Sequence, residues 1–208
     1  MDNIAPGILE KSWEEIERKI QIATGFSQTI HIDLIDQSFG EPNFNDPTPF
    51  KKYTKEYFFE LHMMVSEPLN YLESWADAGF RRFIGHIENM SSEEEFIARG
   101  QILGEVGLAV DGKTSIEDIQ VSLSDLDVLL VMTIEAGASG RSFIPGCLDK
   151  IKKAKQLEKF LRVEVDGGID DQTIIQAKNA GAERFVTTTY LFNSEDPKAQ
   201  FEKLKGLV

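Results

Sequence analysis

His31 and Asp33 lie two residues apart in an apolar stretch, residues 29–36, that is typical of a buried strand. Alternate side chains of a strand point to the same face, so we expect the imidazole and the carboxylate to project together. Burying either group costs free energy unless it is paired, hydrogen-bonded or bound to a cation. The pattern therefore predicts partners for this pair elsewhere in the chain.

The best candidates for these partners are His62 and Asp166, because each ends another strand-like run. The chain has three histidines, and two of them, His31 and His62, fall at strand ends that could converge on one point. A single strand-end histidine is more often a hydrogen-bonded core residue than a ligand. Two imidazoles and two carboxylates together form an N2O2 donor set that suits Zn, Fe, Mn or Co and leaves room for a bidentate substrate.

The elements that must position these residues alternate from end to end. Strand-like runs cover residues 4–9, 29–34, 57–63, 82–86, 106–110, 128–134, 162–165 and 184–188. Helix-like stretches cover residues 12–23, 68–78, 91–100, 115–121, 147–160, 171–180 and 197–207, with a short or irregular one at 49–55. Eight β-α alternations favour an α/β fold, a (β/α)8 TIM barrel formed by residues 1–208 as a single domain, over an open doubly wound sheet. The carboxyl ends of barrel strands carry the chemistry, which would bring the four side chains together.

Composition limits the classes of partner. The 208 residues carry 22 basic and 35 acidic side chains, a formal charge of -13, which disfavours binding to nucleic acid or to an anionic membrane surface. An anionic substrate must then be held by local groups such as a metal or backbone N–H groups. One cysteine, no signal-like amino terminus and no run long enough to span a bilayer predict a cytoplasmic protein without a membrane partner.

Six segments together resemble the ribulose-phosphate 3-epimerase family in order and spacing. They are IAPGIL at 4–9, HIDLID at 31–36, LHMMV at 61–65, GLAV at 107–110, VMTIEAG at 131–137 and VDGGI at 165–169. The resemblance implies a barrel that interconverts D-ribulose 5-phosphate and D-xylulose 5-phosphate by proton transfer at C3 through an enediolate. It also implies the cytoplasmic pentose phosphate pathway as context.

The resemblance assigns roles to individual residues. His31, Asp33, His62 and Asp166 would bind one divalent metal ion, and the two aspartates would also act as catalytic acid and base. The segments that match the family's phosphate-holding regions contribute Gly137, Ala138, Ser139, Gly140, Gly167, Gly168, Thr188 and Thr189. Met64 and Met132 would line the pocket above the metal.

The chain departs from the family pattern at several positions near this site. Gly7 replaces a substrate-contacting serine, Ile35 replaces a methionine, and Gln37 replaces a glycine. Thr188 and Thr189 replace a Gly-Ser pair at the phosphate. These departures leave the choice between a pentose and a hexose phosphate open. A further pair, His86 and Glu88, ends the fourth strand and is expected at the rim or beside the ligands.

Other functions remain alternatives at this point. A six-carbon ketose phosphate such as allulose 6-phosphate would use the same four ligands, and a non-catalytic barrel would bind a sugar phosphate without turnover. A barrel related to orotidine-monophosphate decarboxylase is disfavoured, because residues 60–62 lack the lysine that this class needs. A homo-oligomer is left open.

Overall fold

Eight parallel strands close into a barrel in the computed structural model, which describes residues 3–137 and 140–208. The strands are β1 Ile4–Ile8, β2 Thr29–Ile35, β3 Phe58–Met64, β4 Arg82–His86, β5 Glu105–Val110, β6 Val128–Met132, β7 Val163–Asp166 and β8 Arg184–Thr187. Each strand pairs with the next, and β8 pairs in parallel with β1. The predicted (β/α)8 barrel is therefore confirmed, and closure excludes the open sheet.

Helices on the outside connect most of the strands. They are α1 Trp13–Ala23, α2 Leu72–Asp77, α3 Glu93–Leu103, α4 Leu148–Leu157, α5 Thr173–Ala180, α6 Thr189–Phe192 and α7 Pro197–Lys205. The irregular stretch predicted after β2 is a 3-10 helix, Thr48–Lys52, whereas the short α6 was not predicted. In the part of the chain that the structure describes, no helix combines the length and apolar character needed to cross a bilayer.

The helix predicted over residues 115–121 is wrong, because only one 3-10 turn, Ile116–Asp118, forms there. Ser115 and Asp118 close a capping box around that turn. The backbone N–H groups of Gln120 and Val121 then donate to the Glu93 carboxylate, at 2.8 and 3.3 Å, instead of continuing a helix. A side chain from α3 thus ends the turn early.

Apolar side chains pack on both sides of the sheet. The larger core lies between strands and helices, where Phe50 contacts the rings of Trp13, Phe59, Trp75 and Phe80. A smaller cluster forms inside the barrel, mostly on β3 to β6, from Ile35, Met64, Ile84, Ala109, Val128, Leu130, Met132, Ile134 and Ala136. The opposite side of the barrel interior is lined by ionisable side chains instead.

Removing the aromatic centre of the outer core should destabilise the barrel strongly. Phe50 is fully buried, so Phe50→Ala leaves a cavity and is expected to lower the free energy of unfolding by about 3–5 kcal/mol. Phe160→Ala is the control, because that ring is 87% exposed and its loss should cost less than about 0.5 kcal/mol. Urea unfolding of both variants measures the difference; similar losses would contradict this packing.

Candidate metal centre and active site

Strand register brings the four predicted ligands to one point inside the barrel. His31 and Asp33 face inward from β2, and Asp33 lies opposite His62 of β3. Asp166 is the last residue of β7. All four residues are buried, the imidazoles completely. The alternation of side chains along each strand is what turns these separate segments into one cluster.

The donor atoms are close enough to share a cation. His31 Nε2 lies 3.2 Å from Asp33 Oδ1 and 4.0 Å from Asp166 Oδ2. His62 Nδ1 lies 2.8 Å from the same Asp33 oxygen and 3.4 Å from the same Asp166 oxygen. One donor atom from each residue falls within 4.8 Å of the others. The cluster therefore has the ligand types and the convergence of a divalent-metal site.

A buried ionic layer beneath His31 was not predicted from the sequence. Glu60 Oε1 lies 3.0 Å from His31 Nδ1, and its other oxygen pairs with Arg82 and with Arg184, the latter at 2.7 Å. Glu164 Oε2 lies 2.5 Å from Arg184 Nε. Its Oε1 accepts no hydrogen bond among the described residues and lies 3.5 Å from His31 Nδ1. One feature of the sequence could have indicated this layer. Glu60 and Glu164 each stand two positions before a predicted ligand, His62 and Asp166 respectively, and so lie on the same strand face as that ligand.

The charge of this interior fits a divalent cation. Four buried carboxylates, those of Asp33, Asp166 and the two glutamates, face two buried guanidiniums. With neutral imidazoles, two negative charges are left over. Glu105, which also pairs with Arg82, reaches solvent and is screened there. Uncompensated buried charge is costly, so the donor cluster is suited to an ion of charge +2.

Protonation of the cluster reflects the same excess of negative charge. Burial opposes charge on both imidazoles, but nearby carboxylates outweigh it. Hydrogen bonds to Asp166 and Asp33 raise the pKa of His62, and the contact with Asp33, supported by Glu164 and Glu60, raises the pKa of His31 well above its usual range. Burial also opposes ionisation of Asp33, but its interactions with His31 and His62 outweigh burial and lower the pKa of the carboxyl group. Burial and the charge of Asp33 raise the pKa of Asp166. The two carboxylates therefore differ in proton affinity.

His86 and Glu88 continue the cluster on its far side. His86 Nε2 lies 2.9 Å from His62 Nε2, and His86 Nδ1 lies 2.8 Å from Glu88 Oε2. Burial lowers the pKa of His86. Partial burial opposes ionisation of Glu88, but its hydrogen bond with His86 outweighs this and lowers the pKa to about 2. The pair therefore lies beside the predicted ligand His62, which is one of the two positions expected from the sequence; the other was the rim of the barrel.

A cavity opens above the four donors at the carboxyl ends of the strands. It outlines about 440 Å³ of atom-free space, part of which is open to solvent, and its wall includes Asp33 and Asp166. Of the predicted substrate residues, Met64, Met132, Gly137, Gly140, Gly167, Gly168, Thr188 and Thr189 line it, whereas Ala138 and Ser139 lie outside the described residues. Leu9, Ile134, Ile169 and Val186 also line the cavity and were not predicted from the sequence. Their apolar character resembles ordinary core positions and gave no signal.

Two of the departures from the family pattern are coupled in space. Gly7 lies opposite His31 in the strand register. A Cβ atom on Gly7 would lie 2.5 Å from Thr188 Oγ1 and 2.8 Å from Val186 Cγ1. The Thr188 hydroxyl therefore takes the space in which a side chain at position 7 would begin. The glycine on β1 and the threonine after β8 are therefore complementary in size.

The fold and this site define a TIM barrel with a candidate divalent-metal centre beneath a polar cavity. A sequence model of the Ribulose-phosphate 3 epimerase family matches residues 3–192. The chain belongs to the ribulose-phosphate 3-epimerase family.

Individual relatives agree with this assignment. The chain is 37% identical to the ribulose-phosphate 3-epimerase of Schizosaccharomyces pombe, with 99% of this chain and 93% of the relative covered. It is 34% identical to the ribulose-phosphate 3-epimerase of Chlamydia pneumoniae, with 81% and 78% covered. A solved structure of KGPDC from Streptococcus mutans shares the fold, with a TM-score of 0.72, 11% identity, and 100% and 97% of the two chains covered.

Cation affinity should fall as the solution becomes more acidic. The raised pKa values of His31 and His62 mean that the metal-free cluster holds protons that a cation must displace. As pH rises through those values the protons leave and binding tightens; below them, affinity drops by up to about tenfold per pH unit for each proton displaced. Calorimetric titration with Zn²⁺ at several pH values, in buffers of different ionisation enthalpy, measures both effects. An affinity independent of pH would contradict this charge balance.

Gly7 and Thr188 should behave as a pair in a double-mutant cycle. Gly7→Ser forces its Cβ against Thr188 and should cost about 1–3 kcal/mol of stability and lower kcat/KM. Adding Thr188→Gly removes the contact with Oγ1, so the double variant should regain part of the lost stability and part of the lost kcat/KM. The coupling energy between the two changes should be about 0.5–3 kcal/mol.

The control for that cycle is Gly146→Ser. A Cβ atom there meets nothing within 4 Å, so the serine should be neutral. Urea unfolding and steady-state kinetics provide the measurements. Strictly additive effects of the changes at positions 7 and 188 would show that the two residues do not share space.

Proposed function

We propose that the protein interconverts D-ribulose 5-phosphate and D-xylulose 5-phosphate by removing a proton at C3 and returning one to the opposite face, with one divalent metal ion bound. The observation that carries this proposal is the convergence of two imidazoles and two carboxylates beneath one open cavity. Family membership and the names of the relatives support the same reaction.

His31, Asp33, His62 and Asp166 would hold the metal ion, which is Zn, Fe, Mn or Co on the basis of its N2O2 ligands. When bound, the ion supplies Lewis acidity toward the negative charge that develops on the enediolate. General acid-base catalysis typically contributes about 10²- to 10⁴-fold, whereas enzymes accelerate reactions by about 10⁶-fold or more. The aspartates alone therefore cannot account for a complete catalytic effect.

Asp33 and Asp166 would move the protons. Both carboxylates line the cavity wall, and they come from β2 and β7, on either side of the β1–β8 pair. In the direction from ribulose to xylulose 5-phosphate, Asp33 would take the C3 proton and Asp166 would return one to the other face; the roles exchange in reverse. The lowered pKa of Asp33 and the raised pKa of Asp166 suit a base and an acid respectively.

The phosphate group would lie at the rim of the same cavity. Gly140, Gly167 and Gly168 line it with little side-chain bulk, so backbone N–H groups can approach an anion there. Thr188 and Thr189 add hydroxyl groups that can donate hydrogen bonds. Gly137, Ala138 and Ser139 complete the predicted phosphate segment, and Met64 and Met132 would pack against the sugar. A cytoplasmic location and self-association stay predictions from the sequence.

An isotope experiment tests the reaction directly. Metal-loaded protein is incubated with ribulose 5-phosphate in D₂O, and both xylulose 5-phosphate and deuterium at C3 are followed before and after chelation. We expect product and isotope to appear together and to vanish when the metal is removed. If neither appears with the metal loaded, the pentose reaction is excluded, and allulose 6-phosphate, the six-carbon alternative, becomes the substrate to test.

Asp33→Asn and Asp166→Asn should separate the two proton transfers. Each variant is expected to lose net epimerisation by at least about 10²-fold, because one face loses its acid-base group. Each variant should still exchange deuterium into the one epimer whose C3 proton faces the remaining aspartate. The two variants should therefore label opposite epimers. Metal content is measured in parallel to control for loss of the ion. Near-normal turnover in either variant would refute the role assigned to that aspartate.

A further inference from the structure

His62 directs its two ring nitrogens toward different partners. Nδ1 lies 2.8 Å from Asp33 Oδ1, within the donor cluster, and Nε2 lies 2.9 Å from His86 Nε2. His86 Nδ1 then lies 2.8 Å from Glu88 Oε2. The other oxygen of Glu88 accepts the backbone N–H of Asp111 at 2.6 Å. An unbroken chain of hydrogen bonds thus connects a partly exposed carboxylate to the buried cluster.

The direction of each hydrogen bond in this chain follows from what its members can donate. Both Glu88 oxygens act as acceptors, so His86 Nδ1 must carry a hydrogen. A neutral imidazole with a hydrogen on Nδ1 has a lone pair on Nε2, which accepts from His62 Nε2–H. A neutral His62 with a hydrogen on Nε2 then has its lone pair on Nδ1. That lone pair points into the donor cluster.

We infer that His86 and Glu88 are positioning residues that fix His62 in the tautomer whose Nδ1 binds the cation. The inference rests on the metal site of the proposed function and adds two residues to it. Neither belongs to the described residues that line the cavity, so both act through His62 and not on the substrate. Outer partners of this kind commonly change metal affinity by about 10- to 100-fold when they are replaced.

Glutamine at position 88 cannot reproduce the glutamate, because one of its two terminal atoms is a donor. If the amide faces Asp111, two N–H groups oppose each other. If it faces His86, the amide donates to Nδ1, the hydrogen of His86 moves to Nε2, and His62 must accept there. His62 then carries its hydrogen on Nδ1, the atom that should bind the ion. The first arrangement keeps the tautomer of His62 only at the cost of that N–H to N–H contact, and the second places a hydrogen on the atom that should bind the ion.

The test measures Co²⁺ affinity by competition with a chelator, together with the visible spectrum of the bound ion. Glu88→Gln should weaken Co²⁺ binding about 10- to 100-fold and alter the spectrum. Glu93→Gln is the matched control, because Glu93 is also an acid that accepts backbone N–H groups, from Gln120 and Val121, away from the donor cluster. Its affinity and spectrum should equal those of the wild type.

Two replacements of His86 separate positioning from general loss of packing. His86→Leu removes the acceptor for His62 Nε2–H and should weaken Co²⁺ binding to a similar degree. His86→Gln places an amide oxygen within similar reach, so it should recover much of the affinity. Thermal unfolding of the metal-free proteins shows whether a variant is folded, and Glu88→Gln remains informative if neither His86 variant folds.

The possible results distinguish this inference from the proposed function. Wild-type protein that binds no Co²⁺ would overturn the metal site and the positioning role with it. Tight wild-type binding with unchanged affinity in Glu88→Gln would overturn the positioning role alone. Selective loss in Glu88→Gln and His86→Leu, with recovery in His86→Gln, is the result that supports it.

Discussion

Glu60 makes the contacts on which the rest of the barrel interior depends. One of its oxygens faces His31, and the other pairs with both Arg82 and Arg184. Burial raises the cost of its charge, but the charge of Arg184 and the contact with His31 outweigh that cost and keep the pKa of Glu60 below its ordinary value. The glutamate therefore stays ionised with no contact to water, and it ties four strands to the base of the metal site.

This arrangement divides the barrel interior into two halves. Charged and polar groups occupy inward positions of β2, β3, β4, β7 and β8, whereas Leu130 and Met132 of β6 belong to an apolar cluster on the other side. Electrostatic interactions are stronger where water and mobile charge are scarce. The cavity above therefore has the four-donor cluster on one side and a wall of low polarity on the other.

The sequence predicted the barrel and the four-donor cluster because both follow from local rules. Strand alternation alone places Asp33 two residues after His31 on the same face, and parallel strands bring their carboxyl ends together. The ionic layer was missed because charge inside an apolar run predicts burial but not the partner across the barrel. The pairing of Arg184 with Glu60 depends on closure, which no local pattern describes. Likewise, the end of the turn at Ile116–Asp118 depends on Glu93, from a different element.

The ion pair between Glu60 and Arg184 joins residues 124 positions apart in the chain. A contact of such long range forms only after most of the chain has been ordered, since the intervening loop must be closed first. A partial barrel that lacks the last strand would leave Glu60 and Glu164 buried without their shared guanidinium. Closure of β8 on β1 therefore also completes the support of the metal site, because Arg184 supplies the charge that holds Glu60 ionised against His31.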